Sequence, residues 1–447
     1  MLRFFPILTI VLMIGPVSAG LIGTLLPAFG ILPALGGDQL GLDPWRMLFA
    51  QPGLGSSIRL SLLNGLLATA ISVSIVLLFC AAWQGTRIFR AMQRVLSPIL
   101  SVPHVTAAFG LAFLIAPSGW IARVIAQFTG WERPVDIAII QDPLGLAMVA
   151  GLVTKEIPFL FLMTLAALPQ ADTDRTAQIT ATLGYGRVAG WFKATLPIIY
   201  RQIRLPILAV LADSTSVVDV AMILALTTPP PLAVRILGWL ADPDLSMRFM
   251  ASSAAVLQLI LVVIAMGIWI AGEKVVAVLG RHWAEDGHRF KRDTGLRQTG
   301  AVLAIIAAGA VVLGLVILTI WSVAGFWAFP DLLPRGFSLR LWMREFGVIG
   351  TNLWATLLIG IPTVLIAVAL VLGCLENEVR MGHGPRKRAM WLIYLPLLVP
   401  QISFMFGLQV FFTLINLERT LTSVVLAHLL FVLPYVFLSL SDPSRAL

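Results

Sequence analysis

Gln178-Ile179-Thr180-Ala181-Thr182-Leu183-Gly184-Tyr185-Gly186-Arg187-Val188-Ala189-Gly190-Trp191-Phe192-Lys193-Ala194-Thr195-Leu196-Pro197 is a short polar island between two long apolar stretches. Most of it favours helix. Gly184 sits where two short helices can meet, because glycine alone takes a positive φ without a steric cost. Leu196-Pro197 closes the island, since proline suits the first turn of a following helix, where its missing N–H is not needed. Such an island belongs in water beside a membrane if its flanks cross one.

The composition says that they do. The chain has 447 residues, 59% hydrophobic and 12% charged, with a mean hydropathy of +0.94. Ordinary soluble domains carry roughly a quarter charged residues. Several windows exceed the ~18 apolar residues needed to cross about 30 Å of hydrocarbon. The fold class read here is all-α, a polytopic transmembrane helical protein whose main partner is the lipid bilayer. Net charge +9 and pI 10.2 come from basic residues scattered over short loops, where they orient helices in a bilayer, so a nucleic-acid partner is excluded. Cys80 and Cys374 each end an apolar span beside an Arg-containing loop, which reads as inert packing on a reducing side.

About ten spans are expected, near 4–27, 58–82, 98–117, 143–168, 203–227, 250–272, 300–325, 350–373, 390–414 and 421–440. An N-terminus on the cytoplasmic side puts the loops 83–95, 169–202, 273–299 and 374–389 inside. These hold most of the loop arginines and lysines, including Arg87, Arg175, Arg281, Lys291 and Arg386, and the opposite loops hold about half as many. The first apolar run is too long for a signal-peptide core, so an uncleaved first helix is favoured over cleavage near Val17-Ser18-Ala19. The outer stretch 28–57, rich in Gly and Pro, cannot be one helix; Trp45 and Phe49 can rest at the interface, and a docking surface or a bare interfacial turn fits equally.

An internal repeat runs through these spans. Pro103, five residues, then Phe109-Gly110-Leu111 matches Pro400, five residues, then Phe406-Gly407-Leu408. Ile157-Pro158-Phe159-Leu160-Phe161-Leu162 matches Leu433-Pro434-Tyr435-Val436-Phe437-Leu438 in the same order. Six spans separate the two copies, so they are parallel repeats. The division is 1–272, with the polar loop at 173–200, a linker at 273–299, and 300–447. By this spacing the counterpart of Gln178 falls at 454, past Leu447. The second half is therefore expected to lack its polar loop and last two spans, through an incomplete sequence or a truncated product.

The polar island resembles the EAA loop of permeases of ATP-binding-cassette (ABC) importers. Gly184 and Pro197 stand at the separation that motif requires, and Ala181, Leu183, Phe192 and Lys193 fit its apolar and basic positions. Gln178-Ile179-Thr180 replaces the motif's acidic triplet. The two halves on one chain resemble the fused permeases of thiamine and ferric-iron importers, and in particular the YnjC-type inner-membrane permeases, through Leu26-Pro27-Ala28-Phe29-Gly30-Ile31-Leu32-Pro33 and Gly36-Gly37-Asp38-Gln39-Leu40. The resemblance implies a multi-pass inner-membrane importer subunit working by alternating access. Its implied partners are a cytoplasmic ABC ATPase dimer and a periplasmic solute-binding protein. Gln178, Thr180, Ala181, Leu183, Gly184, Phe192, Lys193, Leu196 and Pro197 would form the ATPase-docking loop. No phosphate-binding Gly-x-x-x-x-Gly-Lys-Ser/Thr occurs, so no cofactor is expected on this chain and ATP is expected on the partner.

Ionisable residues inside spans are costly and mark function or tight pairing. Asp213 and Asp219, with Ser216 between them, lie in the fifth span. On a continuous helix the two carboxylates stand about 120° apart, so at least one points inward. They are candidates for lining a path for a cationic solute, or are satisfied locally by Ser214, Thr215 and backbone N–H groups. Lys155 and Glu156 precede Pro158, which is expected to kink the fourth span; a packing salt bridge is the favoured reading over solute contact. Two further functional readings are an ion-coupled secondary carrier using Asp213 or Asp219 and an inactive truncated permease.

Overall fold

The computed structural model describes residues 4–381 and 387–446; Met1–Arg3, Arg386 and Leu447 lie outside the described residues, as do the side chains of Lys387 and Arg388. Helix dominates, as hydrocarbon requires: with no water to satisfy backbone polar groups, a spanning segment bonds within itself. Among the described residues nine helices are long and apolar enough to cross a membrane.

Helix α1 (Phe4–Ala28) leads to a two-stranded hairpin, β1 (Ile31–Leu32) against β2 (Gly37–Asp38), and to α2 (Asp43–Phe49). The breakers of the 28–57 stretch thus form a hairpin and a short helix, and the Trp45 ring packs 6.0 Å from both Phe29 and Phe49. Next come α3 (Leu54–Trp83), α4 (Arg87–Ile99), α5 (His104–Ile115) and α6 (Trp120–Thr129). The 83–95 loop is mostly the amphipathic α4. Phe89, Met92, Leu96 and Ile99 recur at helical spacing and are buried, while Arg87, Arg90 and Arg94 face out.

Then follow α7 (Leu146–Ala167), α8 (Thr173–Thr182), α9 (Arg187–Gly190), α10 (Leu196–Ser216), α11 (Asp219–Leu224) and α12 (Leu232–Leu240). The remainder is α13 (Met247–Glu285), α14 (Thr294–Ser322), α15 (Arg340–Met381), α16 (Lys387–Leu398), α17 (Met405–Leu414) and α18 (Leu421–Ala446). Two expected spans differ. The stretch 390–414 is two helices, α16 and α17, broken around Pro400, which has no N–H to continue a ladder. The stretch 203–227 begins earlier, as part of a helix running from Arg187, and breaks after Ser216.

The chain forms two compact units assembled from non-contiguous stretches. One takes the described parts of Met1–Leu54, Leu232–Val262 and Met343–Leu447; the other takes Gly55–Pro231 and Val263–Trp342. In the first, α1 lies along α17 and α18, and Val17 packs with Phe404, Leu408, Phe412 and Leu430. In the second, α14 lies along α5, α7 and α4, and Phe79, Phe89 and Phe161 form an aromatic cluster with centroids 5.2–5.9 Å apart.

The repeated Pro and Gly have the same structural duty in each unit. Pro103 and Pro400 mark the breaks between α4 and α5 and between α16 and α17. Gly110 of α5 crosses Gly314 of α14 so closely that a Cβ on Gly110 would stand 3.0 Å from the Gly314 carbonyl carbon. Gly407 of α17 crosses α1 at Gly20 and Gly23, where a Cβ on Gly23 would stand 2.8 Å from the Gly407 Cα. The Gly407 N–H also donates to Thr24 Oγ1 at 3.2 Å. Small residues at such crossings let backbones approach where no hydrophobic force separates helix from lipid.

Candidate functional site

The polar island of the sequence is α8, a bend, and the start of a long helix. None of α8's residues is buried, and Gln178, Ala181 and Leu183 are exposed. Gly184 takes φ +80° at the bend, and the Tyr185 N–H returns to the Thr180 carbonyl at 3.0 Å, closing the end of α8. Thr180 is half-buried. Its hydroxyl donates to the Thr176 carbonyl at 3.0 Å, and its side chain fills the space beside Gly190, so α8 folds back on α9.

Leu196-Pro197 opens α10 with Pro197 in its first turn, as expected, but no gap separates it from the helix before. The helix runs from α9 through a π turn, Trp191–Thr195, directly into α10. Pro197 cannot donate to a carbonyl one turn back, and the wider turn absorbs the missing bond. Phe192 is half-buried with its ring edge-on to Trp191, centroids 5.5 Å apart; Leu196 is half-buried and Pro197 is exposed.

The loop is strapped from outside by residues 286–293, which connect α13 to α14. The Gly186 N–H donates to the Arg289 carbonyl at 2.8 Å, and the Phe290 carbonyl fills the space where a Gly186 side chain would be. The buried Asp293 carboxylate accepts the Val188 N–H at 2.8 Å, capping the helix that starts at α9. Lys193 turns inward. Its Nζ donates to the His288 carbonyl at 3.2 Å, pairs with Asp286 at 3.5 Å, and lies 4.6 Å from the centroid of Trp283 and 5.0 Å from that of Tyr185. The His288 N–H, with Lys193 beside it, holds the Asp286 carboxyl below its ordinary value. From sequence these residues read only as part of the linker 273–299, with no role in the loop. The one available signal is the pair of acids, Asp286 and Asp293, that brackets the basic run Arg289, Lys291 and Arg292.

Between α8 and the turn that joins α3 to α4 lies a cleft of about 630 Å³, lined by Gln84, Thr86, Asp174, Gln178, Tyr185 and Arg187 among others. Gln84 organises its wall: its side-chain oxygen accepts from Trp191 Nε1 at 2.9 Å, and its carbonyl accepts from Arg187.

The ionisable residues of the spans gather elsewhere in the same unit. Lys155 has no salt-bridge partner among the described residues, contrary to the packing pair expected. Its Nζ donates to the carbonyls of Leu100 at 3.3 Å and of Val102, at the frayed end of α4. A cation there satisfies carbonyls that α4 leaves open and complements its dipole. Glu156 is buried next in sequence, within electrostatic reach of Lys155, Asp213 and Asp219, and Asp213 in turn is within reach of His104. The helical-wheel argument for Asp213 and Asp219 does not hold, because α10 ends at Ser216 and Asp219 opens α11, where its Oδ1 accepts the Val220 N–H at 2.8 Å. Ser216 Oγ donates back to the Ala212 carbonyl at 2.7 Å. Asp213 Oδ2 is buried without a hydrogen-bond partner among the described residues. Those residues hold no group of three or more His, Cys, Asp or Glu placed to bind a metal ion.

A strapped, exposed bend between candidate spans is one of the two features of this unit, and a broken span carrying buried acids is the other. Over 404 residues, 89% of this chain and 70% of the relative, the sequence is 28% identical to the inner membrane ABC transporter permease protein YnjC of Escherichia coli (strain K12). The chain is similar to an ABC transporter permease. No family model matches it, and no solved structure does. The similarity runs through most of the chain.

Proposed function

We propose that this chain is the permease subunit of an ABC importer, moving a small solute from periplasm to cytoplasm by alternating access. The supporting observation is the bend at Gly184. An exposed helix, α8, ends on a glycine hinge, and the residues just past that hinge, Gly186, Val188 and Lys193, are hydrogen-bonded to a strap, which suits an element receiving force from another subunit. In this reading Gln178, Ala181 and Leu183 meet a cytoplasmic ABC ATPase that carries the ATP, and a solute-binding protein docks on the opposite side. The N-terminus and α8 then face the cytoplasm.

The test is retention of vanadate-sensitive ATP hydrolysis on the affinity-tagged, full-length chain purified from its own membranes. Wild type is expected to retain it and Leu183→Asp to lose it, with no change in monodispersity because Leu183 is 55% exposed. Equal retention by both would reject docking through α8. A reporter fused at Tyr185 that proved active only outside the cytoplasm would reject the orientation.

The unpartnered oxygen of Asp213 favours a second reading, an ion-coupled carrier in which that carboxylate takes the ion. Uptake that survives ATP depletion and collapses with a proton uncoupler would select it.

A further inference from the structure

We infer that the docking surface is composite, made of α8 together with the strap 286–293, and that it recognises an apolar groove with an acidic rim on the ATP-hydrolysing partner. The inference rests on the reading of α8 as the docking element and adds the partner's chemistry to it. Three large apolar side chains are left in water around the bend: Ile179 at 51% exposure, Leu183 at 55% and Phe290 of the strap at 52%. Ile179 and Leu183 stand one helical turn apart, on one face of α8. Exposed anchors of this kind form the centre of interfaces, where charges are depleted and sit on the rim.

The rim is basic. Arg289, Lys291 and Arg292 are all exposed, and none pairs with a carboxylate among the described residues. The first two reach over the bend itself: the Arg289 guanidinium lies 3.3 Å and Lys291 Cε 3.7 Å from where a Gly184 Cβ would be. The strap's two acids are already committed, Asp286 to Lys193 and Asp293 to the Val188 N–H. Lys193 is likewise turned inward, so its charge is spent within the loop. On α8, Asp174 and Arg175 cancel each other. The net field beside the apolar anchors is therefore positive, supplied by a segment outside the Gln178–Pro197 loop. Surface charge of this sort sets partner choice and association rate, and is screened by salt.

The experiment compares three full-length, tagged chains from their own membranes: wild type, the triple reversal Arg289→Glu/Lys291→Glu/Arg292→Glu, and Leu183→Asp. The readout is retained vanadate-sensitive ATP hydrolysis at ~0.1 M and at ~1 M NaCl, over which the screening length falls from about 10 Å to about 3 Å. Wild type is expected to retain at least tenfold more activity than the triple reversal at low salt and to lose most of that advantage at high salt. Leu183→Asp is expected to retain little at either. Triple-reversal activity equal to wild type, with Leu183→Asp still defective, overturns the composite surface and leaves docking through α8 standing. Full retention by all three, or none by wild type, overturns the docking reading itself and this inference with it.

Discussion

The carboxylate of Asp293 accepts the backbone N–H of Val188 at 2.8 Å, joining residues 105 apart in the chain. Asp293 stands in the cap position of α14, yet its side chain serves the helix that begins at α9. Its backbone carbonyl accepts the Arg297 N–H at 3.0 Å, so its main chain opens one helix while its side chain caps another. Trp83 adds to the joint: its Nε1 donates to the Arg297 carbonyl at 2.9 Å while the Arg297 guanidinium lies 5.3 Å from its ring centroid.

Removing that cap loosens the joint locally. Asp293→Ala is expected to cost about 1 kcal/mol, as loss of a helix N-cap does, with part of the cost coming from the orphaned Val188 N–H. Hydrogen exchange should speed up in peptides covering 186–190 and 286–293 and stay unchanged in α1. Uniform acceleration along the chain, or none in these peptides, contradicts this.

The glycine crossings are predicted to be far less tolerant than glycines that face open space. Gly314→Val places branched carbons against the Gly110 backbone, 2.8 Å from a Gly314 Cβ, and should destabilise by about 1–3 kcal/mol as an overpacked site does. Gly309→Val on the same helix meets nothing within 4 Å and serves as the control. Thermal unfolding in detergent should separate the two, and matching midpoints would remove the crossing as a determinant of stability.

Lys155 is predicted to be structural. Lys155→Met keeps the side chain's length and leaves the carbonyls of Leu100 and Val102 without their donor, at a cost of about 1–3 kcal/mol. The unfolding midpoint should fall by several degrees. A variant as stable as wild type would show that these carbonyls find other donors.

The Lys193–Asp286 clasp is predicted to be insensitive to pH over the physiological range. Folding lowers the Asp286 carboxyl, through the His288 N–H first and Lys193 next. A lowered acid stabilises at pH above its unfolded value, near 3.9, and that contribution is lost only as pH falls through the lower folded value. A spin label at Ala284→Cys, in a Cys80→Ser/Cys374→Ser background, should keep one mobility from about pH 8 to about pH 5 and gain mobility only once the pH is below the unfolded value of ~3.9. Mobility rising near neutrality would assign the clasp to a different group.

The membrane class and the bend at Gly184 were legible because each has a local cause. Apolar runs long enough to cross a bilayer report themselves, and a lone glycine between helix-forming stretches marks a positive φ. The Pro, five residues, Phe-Gly-Leu match is written in the sequence, and in the structure each copy stands at a break and at a close glycine crossing. What escaped the sequence was non-local. Nothing near Lys155 says that its partners are carbonyls of residues 100 and 102, since carbonyls leave no trace in a sequence. The break after Ser216 carries no glycine or proline, so a continuous span was the natural reading, and the angle between Asp213 and Asp219 failed with it. The strap was missed for the same reason: Asp293 and Val188 meet only once the spans between them have folded.

The seat of α1 on α17 bears on how the chain is made. Thr24 waits for Gly407, 383 residues later, before their hydrogen bond can form. At ribosomal rates of ~5–20 residues per second that is a delay of roughly 20–80 s, during which the first helix is in the bilayer without its neighbour. Its early lodging must depend on lipid or on an insertion factor, and a nascent chain halted before residue 400 should leave α1 open to cross-linking by whatever shelters it.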